Sequence, residues 1–110
     1  GLTLKNGASW NQHMIYSDNI TTDHCRFVSE GVWNGDGWDP DSSTNCTLFA
    51  CEFATGGDAV AIKSGKNPEG NKIGRPSAHI YVFDCCSTAG HGICLGSEMS
   101  GGIEDVQIWD

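Results

Sequence analysis

The stretch NCTLFACEF, from Asn45 to Phe53, reveals the architecture of this chain because its pattern of apolar residues recurs. Matching stretches begin at Asn19 (NITTDHCRF), His79 (HIYVFDCCS) and Asp105 (DVQIWD), and GLTLKNGAS at the N-terminus is a fifth, weaker copy. The copies align into one inward column of apolar residues, whose members are Leu2, Ile20, Cys46, Ile80 and Val106. These positions are 18, 26, 34 and 26 residues apart. Periods of this size indicate a solenoid in which each repeat forms one coil.

Short strands separated by Gly, Asn and Asp residues are typical of a parallel β-helix. One insertion, KSGKNPEGNKIGRPS from Lys63 to Ser77, explains the longest spacing, and its Gly, Pro and Lys content predicts a surface loop. The sequence therefore predicts an all-β, single-stranded parallel β-helix of about four to five coils, with residues 1–110 as a single partial domain. Neither end has the polar cap that solenoids need, so we expect a piece truncated at both ends.

The charge of the chain excludes some classes of partner. Six Lys and Arg residues against fourteen Asp and Glu give a net charge of −8, which argues against nucleic acid or an anionic membrane. No apolar run approaches the roughly 20 residues of a membrane helix. The N-terminus has no charged region followed by an apolar one, so we expect that any signal peptide lies outside this chain.

Six cysteines in a short chain suggest two alternatives, a disulfide framework or buried free thiols. Four of them fall at apolar or strand positions, namely Cys46, Cys51, Cys85 and Cys94. No Cys-x-x-Cys pair of the kind that binds zinc occurs. We therefore favour buried free thiols, since a free cysteine packs as a small hydrophobic residue.

A second column, this time of ionisable residues, indicates a site. DGWDP from Asp36, DAVAI from Asp58 and HGICL from His91 each begin with an ionisable residue that is followed two places on by an apolar one. Strands with a period of two would send the three ionisable side chains to one face. If the strands are parallel neighbours, these groups lie roughly 5 Å apart. Two carboxylates and an imidazole at that spacing must share protons or bind a ligand.

Four motifs together resemble one known family. They are NGDGWD at 34–39, TGGDAVAIKSG at 55–65, AGHGICLGSEMSGG at 89–102 and SWNQHMIYS at 9–17. The chain resembles glycoside hydrolase family 28, the polygalacturonase and rhamnogalacturonase family of pectin-degrading enzymes. The resemblance implies a right-handed parallel β-helix and hydrolysis of α-glycosidic bonds in galacturonan with inversion, without a cofactor. It also implies an acidic polysaccharide as partner and a secreted or periplasmic location.

The resemblance assigns roles to individual residues. It makes Asp36 and Asp58 the pair that activates water, and His91 the residue that orients them. Substrate-binding roles are expected for Lys63, His13 and Asn34.

The chain departs from the family pattern at Gly57, where the family has the Asp that is expected to be its general acid. A general acid contributes on the order of 10²–10⁴-fold. We therefore expect this chain to be impaired as an enzyme. The alternative hypothesis is a non-catalytic β-helix that binds acidic polysaccharide. The Arg-x-Lys motif that holds the sugar carboxylate would lie beyond Asp110.

Several residues also have simpler interpretations. Asp39 and Asp41 flank Pro40 and are expected to be turn formers. Lys63 either faces the anionic sugar or is solvated. His13 either extends the ionisable column by one coil, because Ile15 follows two places on, or is structural. Asp36, Asp58 and His91 could alternatively hold a divalent metal ion, an interpretation that we do not favour.

Overall fold

A computed structural model describes all residues from 1 to 110 and is almost entirely β-structure. Its strands and one short helix follow in chain order: β1 (Thr3–Lys5), β2 (Gln12–Ile15), β3 (Asp18–Asp23), β4 (Arg26–Val28), β5 (Trp38–Asp41), β6 (Thr44–Phe49), β7 (Glu52–Ala54), β8 (Val60–Ile62), α1 (Glu69–Ile73), β9 (Ser77–Phe83), β10 (Cys86–Ala89), β11 (Ile93–Leu95) and β12 (Ile103–Trp109).

The strands form three 4-stranded parallel sheets. Sheet 1 has the order β1-β4-β7-β10, sheet 2 the order β2-β5-β8-β11 and sheet 3 the order β3-β6-β9-β12. Each coil contributes one strand to each sheet in turn, so the chain is a right-handed parallel β-helix of four coils. The predicted fold is confirmed.

The inward column of the repeat is confirmed for four of its five expected members. In sheet 3, Cys46 pairs with both Ile20 and Ile80, and Ile80 pairs with Val106. Cys46 and Ile80 are fully buried, which places the column in the core. The fifth, N-terminal copy is wrong. Leu4 lies opposite Phe27, because the first strand, β1, belongs to sheet 1 and not to sheet 3, where the sequence alignment placed it.

Each strand of sheet 3 has a residue with left-handed backbone geometry immediately before its column member. These residues are Asn19 (φ 60°), Asn45 (φ 54°), His79 (φ 58°) and Asp105 (φ 49°). Asn, Asp and His adopt this region several-fold more often than other residues that carry a Cβ. The polar residue that opens each repeat is therefore explained by a recurring backbone kink.

The insertion between β8 and β9 is only partly a surface loop. Its middle is exposed and contains the five-residue helix α1, Glu69–Ile73, but its two ends are buried, with Lys63 4% and Ser77 0% exposed. Lys63 pairs with Asp41 in a parallel bridge that continues sheet 2. The predicted loop boundaries are wrong because both ends belong to the packed coil.

All six cysteines are free thiols, as expected. Cys25, Cys46 and Cys51 are buried. Burial raises the pKa of the Cys46, Cys51 and Cys94 thiols to about 11, so they are protonated and unreactive at neutral pH.

The structure contains no helix that is long and apolar enough to cross a membrane.

Candidate active site

The register of sheet 2 brings the ionisable column together. Trp38 pairs with Val60, and Val60 pairs with Ile93. Asp36, Asp58 and His91 stand two residues before these positions on three successive coils, so they meet at one edge of the sheet. All three line one cavity of about 220 Å³. The alignment of these residues by sequence is thus reproduced in three dimensions.

Direct contacts link the three groups. His91 Nδ1 lies 3.0 Å from Asp58 Oδ1, and the Asp58 backbone N–H donates to Asp36 Oδ1 at 2.9 Å. The His91 ring is 72% exposed and the Asp58 side chain 20%, whereas Asp36 is buried. Asp36 is therefore fixed by the backbone of the next coil, and Asp58 by the imidazole of the coil after it.

Gly57 leaves a space that Asp36 fills. A Cβ atom at position 57 would overlap Asp36 Oδ1. An aspartate at this position would therefore require the Asp36 carboxylate to turn away, and would disturb its hydrogen bond from the Asp58 backbone. The loss of a side chain at position 57 and the present orientation of Asp36 are thus linked.

Lys63 is buried rather than solvated, and it lines the cavity. Its Nζ donates to Glu98 Oε1 at 2.9 Å and to Gly96 O at 3.4 Å, and it lies 4.5 Å from the centre of the Trp10 ring. Burial favours a lower pKa for Lys63, but the hydrogen bond to Glu98 and the charges of nearby carboxylates raise it. Lys63 is therefore a buried cation in the cavity wall rather than a solvated one, and its contact with the anionic sugar stays a prediction.

Glu98, to which the sequence analysis assigned no role, lines the cavity together with Trp10. The hydrogen bond from Lys63 lowers the pKa of Glu98, so this carboxylate stays ionised and is a poor proton donor. Trp10 has φ 83°, an outlier for a bulky side chain. Asn34, which we expected at the site, also lines the cavity.

His13 does not extend the ionisable column. Gln12 is the residue that pairs with Trp38, and His13 pairs with Asp39. The column position one coil before Asp36 is therefore Trp10. The His13 ring instead lies 3.0 Å from Asp41 Oδ2 and stacks edge-on against Trp10.

Asp39 and Asp41 are not turn residues. Both lie in β5 and both are buried. Asp41 Oδ1 accepts a hydrogen bond from the Gly65 backbone N–H at 3.0 Å. Burial raises the pKa of Asp39 to about 9. Pro40 has no N–H to donate, but its carbonyl oxygen accepts a hydrogen bond from the Lys63 backbone N–H at 2.8 Å. The strand therefore tolerates the proline.

No group of three or more His, Cys, Asp or Glu side chains is arranged to hold a metal ion. Asp36 and Asp58 contact one another through a backbone N–H, and the His91 nitrogen nearest them is engaged by Asp58. The three groups are therefore joined to one another by hydrogen bonds.

Comparisons with known proteins agree with this geometry. The sequence profile described as "Glycosyl hydrolases family 28" matches residues 1–110. The chain is 41% identical over 112 residues to a probable polygalacturonase of Vitis vinifera, covering 99% of this chain and 23% of that protein. It is 38% identical over 93 residues to a polygalacturonase of Ralstonia nicotianae, covering 84% of this chain and 16% of that protein.

Among solved structures, the chain is similar to a hyperthermoactive exopolygalacturonase from Thermotoga maritima. The TM-score is 0.89 at 38% sequence identity, over 96% of this chain and 24% of that protein. The chain thus spans about a quarter or less of the length of these relatives. A profile match over every residue, close relatives and a shared fold lead to one conclusion: the chain belongs to glycosyl hydrolases family 28.

Proposed function

We propose that this chain is part of a pectin-degrading hydrolase that cleaves the α-glycosidic bonds of galacturonan with inversion. The observation that carries the proposal is the contact of Asp36, Asp58 and His91 in one cavity. The names of the relatives, polygalacturonase and exopolygalacturonase, favour polygalacturonate as the substrate. A secreted or periplasmic location stays a prediction.

Inverting hydrolysis needs a base that activates water on one face of the sugar and an acid that protonates the leaving oxygen on the other. Asp36 and Asp58 come from adjacent coils and open onto the same cavity, which supports a shared role in activating one water molecule. His91 holds the Asp58 carboxylate in orientation through Nδ1. Asn34 lines the same cavity and is placed to contact the sugar.

Gly57 removes the expected acid. Glu98 is a poor replacement because its hydrogen bond from Lys63 favours the ionised form. We therefore expect the full protein that carries this chain to hydrolyse polygalacturonate slowly. Once the Asp36 carboxylate turns within the cavity to admit the new side chain, the variant Gly57→Asp should raise turnover by about 10²–10⁴-fold, measured as the release of reducing ends.

The control for this experiment is Asp36→Asn in the Gly57→Asp protein, which should abolish the gain. If the protein with Gly57 already cleaves as fast as Gly57→Asp, the assignment of the acid to position 57 is wrong. The proton donor would then have to be His91 or Asp58.

A second function, binding of acidic polysaccharide without cleavage, is favoured by Gly57 alone. It predicts that polygalacturonate in the gel slows the migration of the protein in affinity electrophoresis. It also predicts that Gly57→Asp releases no reducing ends. The net charge of −8 opposes a polyanionic ligand at long range, so this binding should weaken less with salt than that of a basic lectin.

A further inference from the structure

Asp39 is an unusual residue for a place so deep in the fold. It follows Trp38 in β5, it is 0% exposed, and neither Oδ1 nor Oδ2 has a hydrogen-bond partner. An ionised carboxylate without donors is very costly to bury, and almost all buried polar groups in proteins are hydrogen-bonded. The state of Asp39 therefore needs an explanation.

Lys63 does not supply the missing donor. Its Nζ lies 3.9 Å from Asp39 Oδ2, which is an ion-pair distance but too long for a hydrogen bond. Its shorter contacts go to Glu98 Oε1 at 2.9 Å and Gly96 O at 3.4 Å. The charge of Lys63 is thus largely compensated by Glu98.

The other ionisable groups around Asp39 do not supply it either. Asp36 and Asp58 are the remaining charged neighbours, and both repel a second negative charge. His13 faces Asp39 in the register of sheet 2, but its ring bonds to Asp41 at 3.0 Å. No element packed against β5 therefore neutralises Asp39.

Protonation of Asp39 removes the cost of burying a carboxylate that has no hydrogen-bond donor nearby. Two ionised carboxylates offer only acceptors, whereas a protonated carboxyl group has an O–H to donate. Burial, followed by the charge of Asp36, raises the pKa of Asp39 to about 9, and the proximity of the two carboxyl groups adds to the shift. At neutral pH, Asp39 is then a neutral donor beside an anionic acceptor.

We propose that Asp39 carries a proton in the folded protein and donates it in a hydrogen bond to the Asp36 carboxylate. Asp36 is then fixed from two sides, by this O–H and by the Asp58 backbone N–H at 2.9 Å. Asp39 is thereby a positioning residue for Asp36. The proton on Asp39 is independent of the reaction, and only the positioning role rests on the proposed function.

Infrared spectroscopy of the wild-type chain tests the proton directly. At neutral pH we expect the carbonyl stretching band of a protonated carboxylic acid, which Asp39→Asn should lack. Asp41→Asn is the matched control and should keep the band, because Asp41 bonds to His13 and Gly65 instead. A folded wild-type chain without the band, or a band that persists in Asp39→Asn, would overturn the proposal. The wild-type spectrum decides the question even if the variant does not fold.

The dependence of stability on pH provides a second readout. Because the pKa of Asp39 is raised in the folded state, its contribution to stability is complete below the unfolded value and is lost as the pH rises towards about 9. Between roughly pH 5 and 8, the unfolding equilibrium constant of wild type relative to Asp39→Asn should rise by up to about tenfold per pH unit. A ratio that does not change with pH would show that Asp39 is ionised.

The positioning role is tested in the full protein that retains Gly57 and turns over slowly, because an aspartate at position 57 would displace the Asp36 carboxylate. Asn at position 39 still donates a hydrogen bond to Asp36, whereas Leu cannot. We therefore expect Asp39→Leu to lower kcat by at least about tenfold more than Asp39→Asn, with KM nearly unchanged. Equal losses would overturn the role. The infrared and stability measurements need no turnover, so a failure of the proposed function is distinguishable from a failure of this inference.

Discussion

At the scale of single residues, the ion pair between Lys63 and Glu98 stabilises the wall of the cavity. Glu98→Ala should lower the free energy of unfolding by about 2–4 kcal/mol, because it leaves the buried ammonium of Lys63 without its nearest anion. Chemical denaturation at neutral pH measures this loss. Glu52→Ala is the control, since Glu52 pairs with Arg26 in an exposed bridge and its loss should change stability by less than about 1 kcal/mol.

The pH dependence of the same pair has the opposite sign to that of Asp39. The pKa of Glu98 is lowered in the folded state by Lys63, so its contribution is present above the unfolded pKa and is lost as the pH falls through the folded one. The stability difference between wild type and Glu98→Gln should therefore shrink in acid. A difference that stays constant from neutral pH to about pH 3 would contradict the ion pair.

The residues that sequence reasoning placed wrongly share a physical cause. Asp39 was assigned to a turn because Pro40 follows it, but local turn chemistry cannot reveal that a strand is covered on both faces. Glu98 reaches Lys63 from another coil, and no local pattern encodes that contact. His13 was assigned to the ionisable column because Ile15, an apolar residue, stands two places after it. The 26-residue spacing seen elsewhere in the repeat also separates Gln12 from its partner Trp38. Applied to Asp36, the same spacing would have placed Trp10 in the column.

At the scale of elements, the insertion is fastened at its ends and free in its middle. The Ser77 hydroxyl donates to Lys63 O at 2.6 Å and accepts from the Ser43 backbone N–H at 3.1 Å. Ser77→Ala should cost about 1–3 kcal/mol of stability, because it leaves the Ser43 N–H buried without a partner. Thermal or urea unfolding measures this change.

The matched control is Ser87→Ala in β10. The Ser87 hydroxyl is exposed and bonds to Ala89 O at 3.0 Å, so its removal should change stability by less than about 0.5 kcal/mol. A cost for Ser77→Ala as small as that for Ser87→Ala would show that the ends of the insertion are not fastened as described.

The regular columns of the elements could be predicted from sequence because each coil repeats them at a fixed offset. Ile20, Cys46, Ile80 and Val106 keep their register across the insertion, since the added residues leave the helix between β8 and β9 and return before the next column begins. The path of the first coil could not be predicted in this way. The connection from β1 to β2 is shorter than that from β4 to β5 in the second coil, and the apolar residues Leu2 and Leu4 fit more than one column.

At the scale of the whole molecule, the fold determines the chemistry of the thiols. Titration with a thiol reagent in denaturant, without reductant, should detect all six cysteines. In the native protein, Cys25, Cys46 and Cys51 should react far more slowly, because all three are buried and the raised pKa values of Cys46 and Cys51 keep these two thiols protonated. Fewer than six thiols in denaturant would indicate a disulfide and contradict the structure.

The distribution of the candidate site over three coils has a consequence for how the molecule can fail. Asp36, Asp58 and His91 belong to the second, third and fourth coils, so no single repeat contains the site. In a solenoid, each coil is stabilised mainly by its immediate neighbours, and one coil can open while the rest of the stack persists. Opening any one of the three dismantles the constellation, although most of the secondary structure survives. If the proposed function holds, the activity should therefore be lost under milder conditions than the circular dichroism signal of the strands.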